Sequence, residues 1–381
     1  MNIETVKVYK LSLPFRGDFS HSRKKGLSAD NLVVQVTTEK GRVKGYGEGA
    51  PRSYVTGESQ TGAAKRIEHL LASEHFPWNL ENESQIWEFV SRVDSGKNGN
   101  AALCALETAL LDLLGKIQNR AVLDFFPKNH YTGHVFYGAT IPMAGRERTT
   151  EVCRQIKAFG LSPLRIKMGG IYLENKERIE TAGIIFGGLS DIRIDINGSW
   201  NFELAKRHLD LFLKNGVSVL EQPVDPESDQ LPVIARLMNE NNIRLMADES
   251  ACSMKDCVKI ADQGFYDLIN VRLSKCGGLI RSLEITDFLR SRGLSFQIGC
   301  QLGESGLLSA AGRVLGLLSG DAAYWDGSYD DFVLKENLTT SNVSFGPGGE
   351  GGPIKGCGLG VEVSRHSLEK LCDLLTVINA P

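Results

Sequence analysis

The chain has 381 residues, 42% of them hydrophobic and 23% charged, the balance of a globular protein long enough for a barrel and a second domain. A formal net charge of −3 gives no reason to expect nucleic acid or an anionic membrane as a partner. The eight cysteines form no CxxC pair, so neither a zinc site nor a disulfide framework is expected, and a reducing cytoplasm is the expected setting.

Met1 to Tyr9 lacks an apolar signal core, and no apolar run approaches the ~20 residues a membrane helix needs. Residues 3–15 and 31–38 alternate apolar and polar side chains and predict antiparallel strands, with Glu39-Lys40-Gly41 as a turn. A further strand ends at Gly45-Tyr-Gly-Glu-Gly49, before the polar loop Pro51–Glu58. From about 60 to 125 the pattern is helical, most clearly over Ala101–Gly115. Residues 1–128 therefore read as an α+β unit. Its two polar loops, one basic and containing Arg23, the other containing Tyr54, are candidates for substrate contact.

Pro127-Lys-Asn-His130 marks a linker, and residues 129–330 read as a parallel α/β domain. Its first strand is His134–Thr140 and its last lies near Ala322–Asp326. Between them, short branched-apolar strands each end in a charge: Lys167, Asp195, Glu221, Asp248, Lys275 and, after a loop, Glu304. The charges recur at intervals of 26 to 29 residues, close to the ~30 residues that one strand and one helix of an eight-stranded barrel occupy. Helix-length amphipathic runs such as Phe202–Lys214 fill the intervals. The fold class is α/β, a TIM-like barrel with one functional group at each successive strand end. In the tail, 331–381, a Gly-rich stretch from Gly346 to Gly360 lacks a following Gly-Lys-Ser/Thr and reads as turns, not as a phosphate loop. A short helix starts near Ser364.

Asp195, Glu221 and Asp248, at three successive strand ends, point into one space. Buried like charges need neutralising, and a hard divalent cation such as Mg²⁺ suits carboxylates plus substrate oxygens. With Thr140 ending strand 1, Lys167 and Lys275 end strands 2 and 6, on opposite sides of the ring. A substrate carboxylate held between them would offer its α-carbon to an amine on either side, which suits removal of a proton from one face and its return to the other. A lysine base must be neutral, so its pKa has to fall from ~10.4 toward ~7. Arg165, on the same strand face as Lys167, and a metal ion would both push it down.

The series Arg165-x-Lys167, Asp195-x-Asn197, Glu221-Gln-Pro, Asp248-Glu-Ser, Lys275-x-Gly-Gly and Gly299-x-x-x-x-Glu304 resembles the enolase superfamily, specifically its muconate lactonizing enzyme subgroup. Gly45–Pro51 and Ala105–Lys116 extend the resemblance into the first domain. It implies a (β/α)7β barrel with a capping domain built from the N-terminal region and the C-terminal tail. It also implies Mg²⁺ on Asp195, Glu221 and Asp248, with Lys167 and Lys275 as acid/base groups. Capping loops at 18–27 and 51–58 would close over the substrate. Mandelate racemase and the sugar-acid dehydratases differ in using a late barrel His; here none lies between His208 and His366.

Two departures bear on the substrate. The subgroup usually has Lys-x-Lys on strand 2, and here Arg165 holds the first place, a fixed cation able to anchor a carboxylate. Dipeptide epimerases often carry Asp-x-Asp on strand 8 to grip an ammonium; Tyr324-Trp-Asp326 keeps only the second acid, and the aromatics would favour an apolar or N-acylated substrate. Candidate substrate contacts are thus Arg165, Asn197, Glu304, Asp326, Thr140, Arg23 and Tyr54. The expected activity is Mg²⁺-dependent abstraction of a proton next to a carboxylate, giving racemisation or epimerisation of a dipeptide or N-acyl amino acid. Muconate-type cycloisomerisation or o-succinylbenzoate-type elimination is the alternative, and a non-catalytic carboxylate-binding barrel a more remote one. The partner is a small-molecule carboxylate; a homo-oligomer is expected by analogy alone.

Overall fold

A computed structural model covers the chain and describes residues 1–21, 24–38, 41–94, 96–188 and 191–381, with backbone only for those of 17–27 that are included. Three antiparallel strands open it: β1 (Ile3–His21), β2 (Lys24–Thr38) and β3 (Lys44–Gly49). The expected turn at Glu39-Lys40 lies outside the described residues. Helices α1 (Gln60–Leu71), α2 (Glu83–Arg92) and α3 (Asn100–Gln118) follow. Helix α3 is buried from Asn100 through Gly115 and lies directly against β3. Glycines make that approach possible: a Cβ at Gly45, Gly47 or Gly49 would stand 2.1–2.3 Å from the carbonyl oxygen of Ala109, Ala105 or Ala101. The periods match, since two strand residues span about 6.7 Å and four helix residues about 6 Å. Every second strand position can therefore be a glycine that faces every fourth helix position.

The barrel begins after a break that the sequence did not reveal. The expected strand His134–Thr140 is two pieces, β4 (Val135–Phe136) and β5 (Ala139–Ile141). They separate at Gly138, where a Cβ would lie 2.6 Å from the Pro163 carbonyl oxygen. From β5 the chain alternates strand and helix: α4 (Arg146–Phe159), β6 (Leu164–Lys167), α5 (Tyr172–Phe186), β7 (Ile192–Asp195), α6 (Phe202–Lys214) and β8 (Val217–Glu221). Next come α7 (Leu231–Glu240), β9 (Arg244–Ala247), α8 (Met254–Gln263), β10 (Leu268–Arg272), the short turn α9 (Leu273–Cys276) and α10 (Leu279–Ser291). Finally β11 (Ser295–Gly299), α11 (Gly306–Leu318) and β12 (Tyr324–Trp325) complete the set.

Strands β5 to β12 form one parallel sheet in sequence order. A parallel bridge between Tyr137 and Trp325, with the Gly138 N–H donating to the Trp325 carbonyl at 2.9 Å, ties the first strand region to the last. This is the (β/α)7β pattern. Beyond α12 (Asp330–Val333), β13 (Glu350–Gly351) pairs with β4. Helix α13 (Arg365–Leu371) leads into β14 (Cys372–Asn379), which adds antiparallel to β1 and makes the first sheet four-stranded. Among the described residues no helix is long and apolar enough to cross a membrane.

Candidate active site

Pleating decides what enters the barrel mouth. On β6, Arg165 and Lys167 share a face; Arg165 is buried, while the Lys167 side chain keeps 18% of its surface open. Asp195 and Glu221 are the last residues of β7 and β8, and Asp248 is the first after β9. All three are buried. Lys275 differs from expectation. Strand β10 ends at Arg272, and Lys275 rides on the helical turn α9 just beyond it. The residue at the strand end itself is an arginine that sequence reasoning passed over.

Cations and anions interleave. Arg165 donates to the Thr140 hydroxyl at 3.1 and 3.2 Å and to Glu221 Oε2 at 3.2 Å, and it lies 3.9 Å from Asp195 and 3.4 Å from Asp326. Lys167 Nζ stands 3.3 Å from Asp195 Oδ2 and donates to Asn197 Oδ1 at 3.1 Å. Arg272 donates to Asp248 Oδ2 and lies 3.6 Å from Glu221 Oε1. Lys275 Nζ is fully buried and donates to Asp248 Oδ1 at 3.0 Å and to the carbonyls of Asp248 and Asn270 at 2.7 and 2.6 Å. The three carboxylates are thus linked through Arg165 and Arg272.

Among the described residues no three Asp, Glu, His or Cys side chains already form a group that could hold a metal ion; the guanidinium groups pair with these carboxylates instead. The donor chemistry fits Mg²⁺ nonetheless. The set consists of hard carboxylate oxygens, and Asp195 Oδ2 is buried and accepts no hydrogen bond.

Several groups titrate far from their usual range. Burial, with Asp248 and Asp195 nearby, pushes Glu249 up to about 7; Asn197 donates to it at 3.0 Å. Burial likewise raises Glu304 to about 8, with Glu48 adding to the effect. Its one described hydrogen bond comes from the Gln301 N–H, at 2.6 Å. Burial disfavours the Lys275 ammonium, but Asp248 outweighs it and holds the amine above the ordinary lysine value.

Asp326 does not stand free to receive a substrate. It is buried, and Arg193 grips it with two hydrogen bonds of 3.0 and 3.1 Å. Burial opposes its charge, yet Arg193 and Arg165 hold it down at about 2. The aromatics beside it also differ from expectation. Tyr324 packs under the Arg193 guanidinium, 4.5 Å from ring centre, and its hydroxyl bonds to Asp191 and receives from Arg244. Trp325 donates to the Gly316 carbonyl on α11. Both are occupied within the barrel wall. Tyr54 lines a cavity of about 290 Å³ with Phe15, Arg52 and Leu302; Arg23 lies outside the described residues. Sequence reasoning missed Arg193, Arg272, Asn270 and Gln297. The signal was available: each sits on a barrel strand (β7, β10, β10 and β11), a polar side chain in an otherwise branched-apolar run.

Residues 4–126 match the family model "Mandelate racemase / muconate lactonizing enzyme, N-terminal domain", and residues 148–367 match "Enolase C-terminal domain-like". The chain is 30% identical over 307 residues to the hydrophobic dipeptide epimerase of Roseobacter litoralis, covering 76% of this chain and 80% of that one. It is 26% identical over 318 residues to the N-succinyl-L-Arg/Lys racemase of Bacillus cereus, covering 82% and 83%. A crystal structure of N-succinyl Arg/Lys racemase from Bacillus cereus superposes over the whole of both chains with a TM-score of 0.86 at 23% identity. The dipeptide epimerase of Enterococcus faecalis, solved with Mg and L-Leu-L-Tyr, gives 0.82 at 24% identity, over 95% of this chain and 100% of that one.

Proposed function

Because this chain belongs to the mandelate racemase / muconate lactonizing enzyme family of the enolase superfamily, we propose that it is an Mg²⁺-dependent isomerase that inverts the α-carbon of an N-acylated amino acid. Asp195, Glu221 and Asp248 are the residues that would hold the ion. Bound there, Mg²⁺ supplies positive charge that steadies the charge left when an α-proton departs and lowers the pKa of nearby amines. Lys167, at the end of β6, and Lys275, on the turn α9 that follows β10, flank the acids. One takes the α-proton, leaving an enolate, and the other delivers a proton to the opposite face. Arg165, tethered by Thr140, keeps a permanent cation beside the acids.

The observation that carries the substrate class is the double capture of Asp326 by Arg193 and Arg165. An acid already paired with two buried guanidiniums has little to offer a substrate ammonium. An acylated nitrogen carries no charge and needs no such partner. The relatives named as dipeptide epimerases and as an N-succinyl amino acid racemase make these two substrate types the ones to compare. Deuterium wash-in at the α-carbon should be seen with Mg²⁺ and N-acyl amino acids, and be weaker with free-amine dipeptides. Lys275→Ala should spare exchange from one stereoisomer only. Faster exchange with dipeptides would overturn the substrate class; cyclisation of a muconate-type acid with no α-exchange would overturn the reaction.

A further inference from the structure

Lys275 is held from outside the barrel. Asn100, the first residue of α3 and itself buried, donates both hydrogens of its side-chain amide, at 2.7 Å each, to the Lys275 and Cys252 carbonyls. It thereby clamps the segments that follow strands β9 and β10. Its neighbours reinforce the clamp. The Ala50 N–H donates to the Ser274 hydroxyl at 2.8 Å, and Glu107 on α3 accepts from the Ile280 N–H at 2.9 Å. Of the two glycines that follow Lys275, Gly278 has no room for a side chain and Gly277 little. A Cβ on Gly278 would lie 1.5 Å from Glu107 Oε2, and one on Gly277 would lie 3.1 Å from Asn100 Oδ1. Their φ values, +109° and +94°, also favour glycine. Lys167 is tied differently. Arg178, within the barrel on α5, donates to its carbonyl at 3.2 Å.

We infer that Asn100 is a positioning residue for Lys275, so that the first domain sets one of the two acid/base groups while the barrel sets the other. The physical reason is that Lys275 sits on a single helical turn, not on a strand with a ladder on both sides. A one-turn helix is too short to hold its own geometry, so its carbonyl needs an external donor, and Asn100 on α3 supplies it. Removing that donor leaves two buried carbonyls short of a partner and lets the lysine drift. This inference rests on Lys275 acting in proton transfer, and the test has two arms so that the two ideas can fail separately.

The first arm needs no substrate. Trace labelling of amines by acetic anhydride in the full-length protein, read by peptide mass mapping, gives the Lys275:Lys167 labelling ratio. Asn100→Ala should raise it about fivefold or more as the buried amine is released; an unchanged ratio overturns the inference. The second arm measures α-deuterium exchange from both stereoisomers of an N-acyl amino acid. Asn100→Ala should reproduce the one-sided loss of Lys275→Ala, slowing that stereoisomer by about tenfold or more and the other by about twofold or less. Equal losses on both sides overturn it. Should Asn100→Ala fail to fold, Asn100→Ser, which keeps a shorter donor, is expected to give the same one-sided pattern in both arms. If the parent exchanges no N-acyl substrate, the proposed substrate class fails, and the labelling ratio still decides the role of Asn100.

Discussion

At the scale of single residues, the site is a set of contested carboxylates. Asp248 receives Lys275 on one oxygen and Arg272 on the other, and Glu221 is shared among Arg165, Arg272 and Asn270. Asp248→Asn removes the charge that would draw a cation away from these partners. Calorimetric Mg²⁺ affinity should fall by about 100-fold or more, since even outer partners of metal ligands cost 10–100-fold when lost. Unchanged affinity would show that the ion binds elsewhere. Asp326 plays the opposite part. Asp326→Asn strips the anion from two buried arginines and should cost roughly 3–5 kcal/mol in denaturant unfolding, with little effect on how N-acyl substrates bind. A stable variant that loses affinity for free-amine dipeptides would instead make Asp326 a substrate contact.

At the scale of elements, the most informative misreading is β10. Leu268 to Lys275 reads as one strand ending in its charge, yet the chain leaves the sheet at Arg272 and makes a helical turn before Lys275. The turn is followed by Gly277 and Gly278, both at positive φ, where α3 packs close enough that a Cβ would meet Asn100 or Glu107. Helix α3 carries a cost for this packing. Burial pushes Glu107 up to about 8, against only partial relief from the Ile280 N–H. A carboxyl raised in the folded state keeps its proton there after the unfolded chain has lost its own. The contribution of Glu107 to stability is therefore most favourable below the unfolded value of about 4.3 and declines as pH rises toward about 8, where the folded carboxyl ionises. The Glu107 share of that decline approaches ~1.4 kcal/mol per pH unit. Glu107→Gln should flatten the fall in thermal midpoint between pH 5 and about 8; an identical pH profile would rule out Glu107 as its source.

At the scale of the whole molecule, two large sheets and the small β4–β13 pair share one chain. The first is completed only by β14, whose residues lie more than 350 positions from their partners on β1. Deleting residues 372–381 removes that edge strand and uncovers β1. At about 1 kcal/mol net per ladder hydrogen bond, stability should fall by several kcal/mol, read as a lower denaturant midpoint. A midpoint equal to that of the full chain would mean that the return of the tail contributes nothing to the first domain. The barrel, by contrast, builds each repeat from neighbouring sequence, so its strands need no such distant partner except where Gly138 meets Trp325.

The sequence by itself determined the barrel and its ring of charges, because one strand and one helix form a local unit whose length sets the spacing of Lys167, Asp195, Glu221 and Asp248. Alternating strand patterns followed by a helical pattern also made the first 128 residues legible as an α+β unit, whereas the close approach of α3 to the glycines of β3 appears only in the structure. Only the tertiary structure decided which charges neutralise which. Asp326 goes to Arg193, Asp248 to Arg272 and Lys275, and the Lys275 carbonyl to Asn100. Such pairings depend on approaches of about 3 Å between residues remote in the chain, and spacing along a sequence carries no record of them.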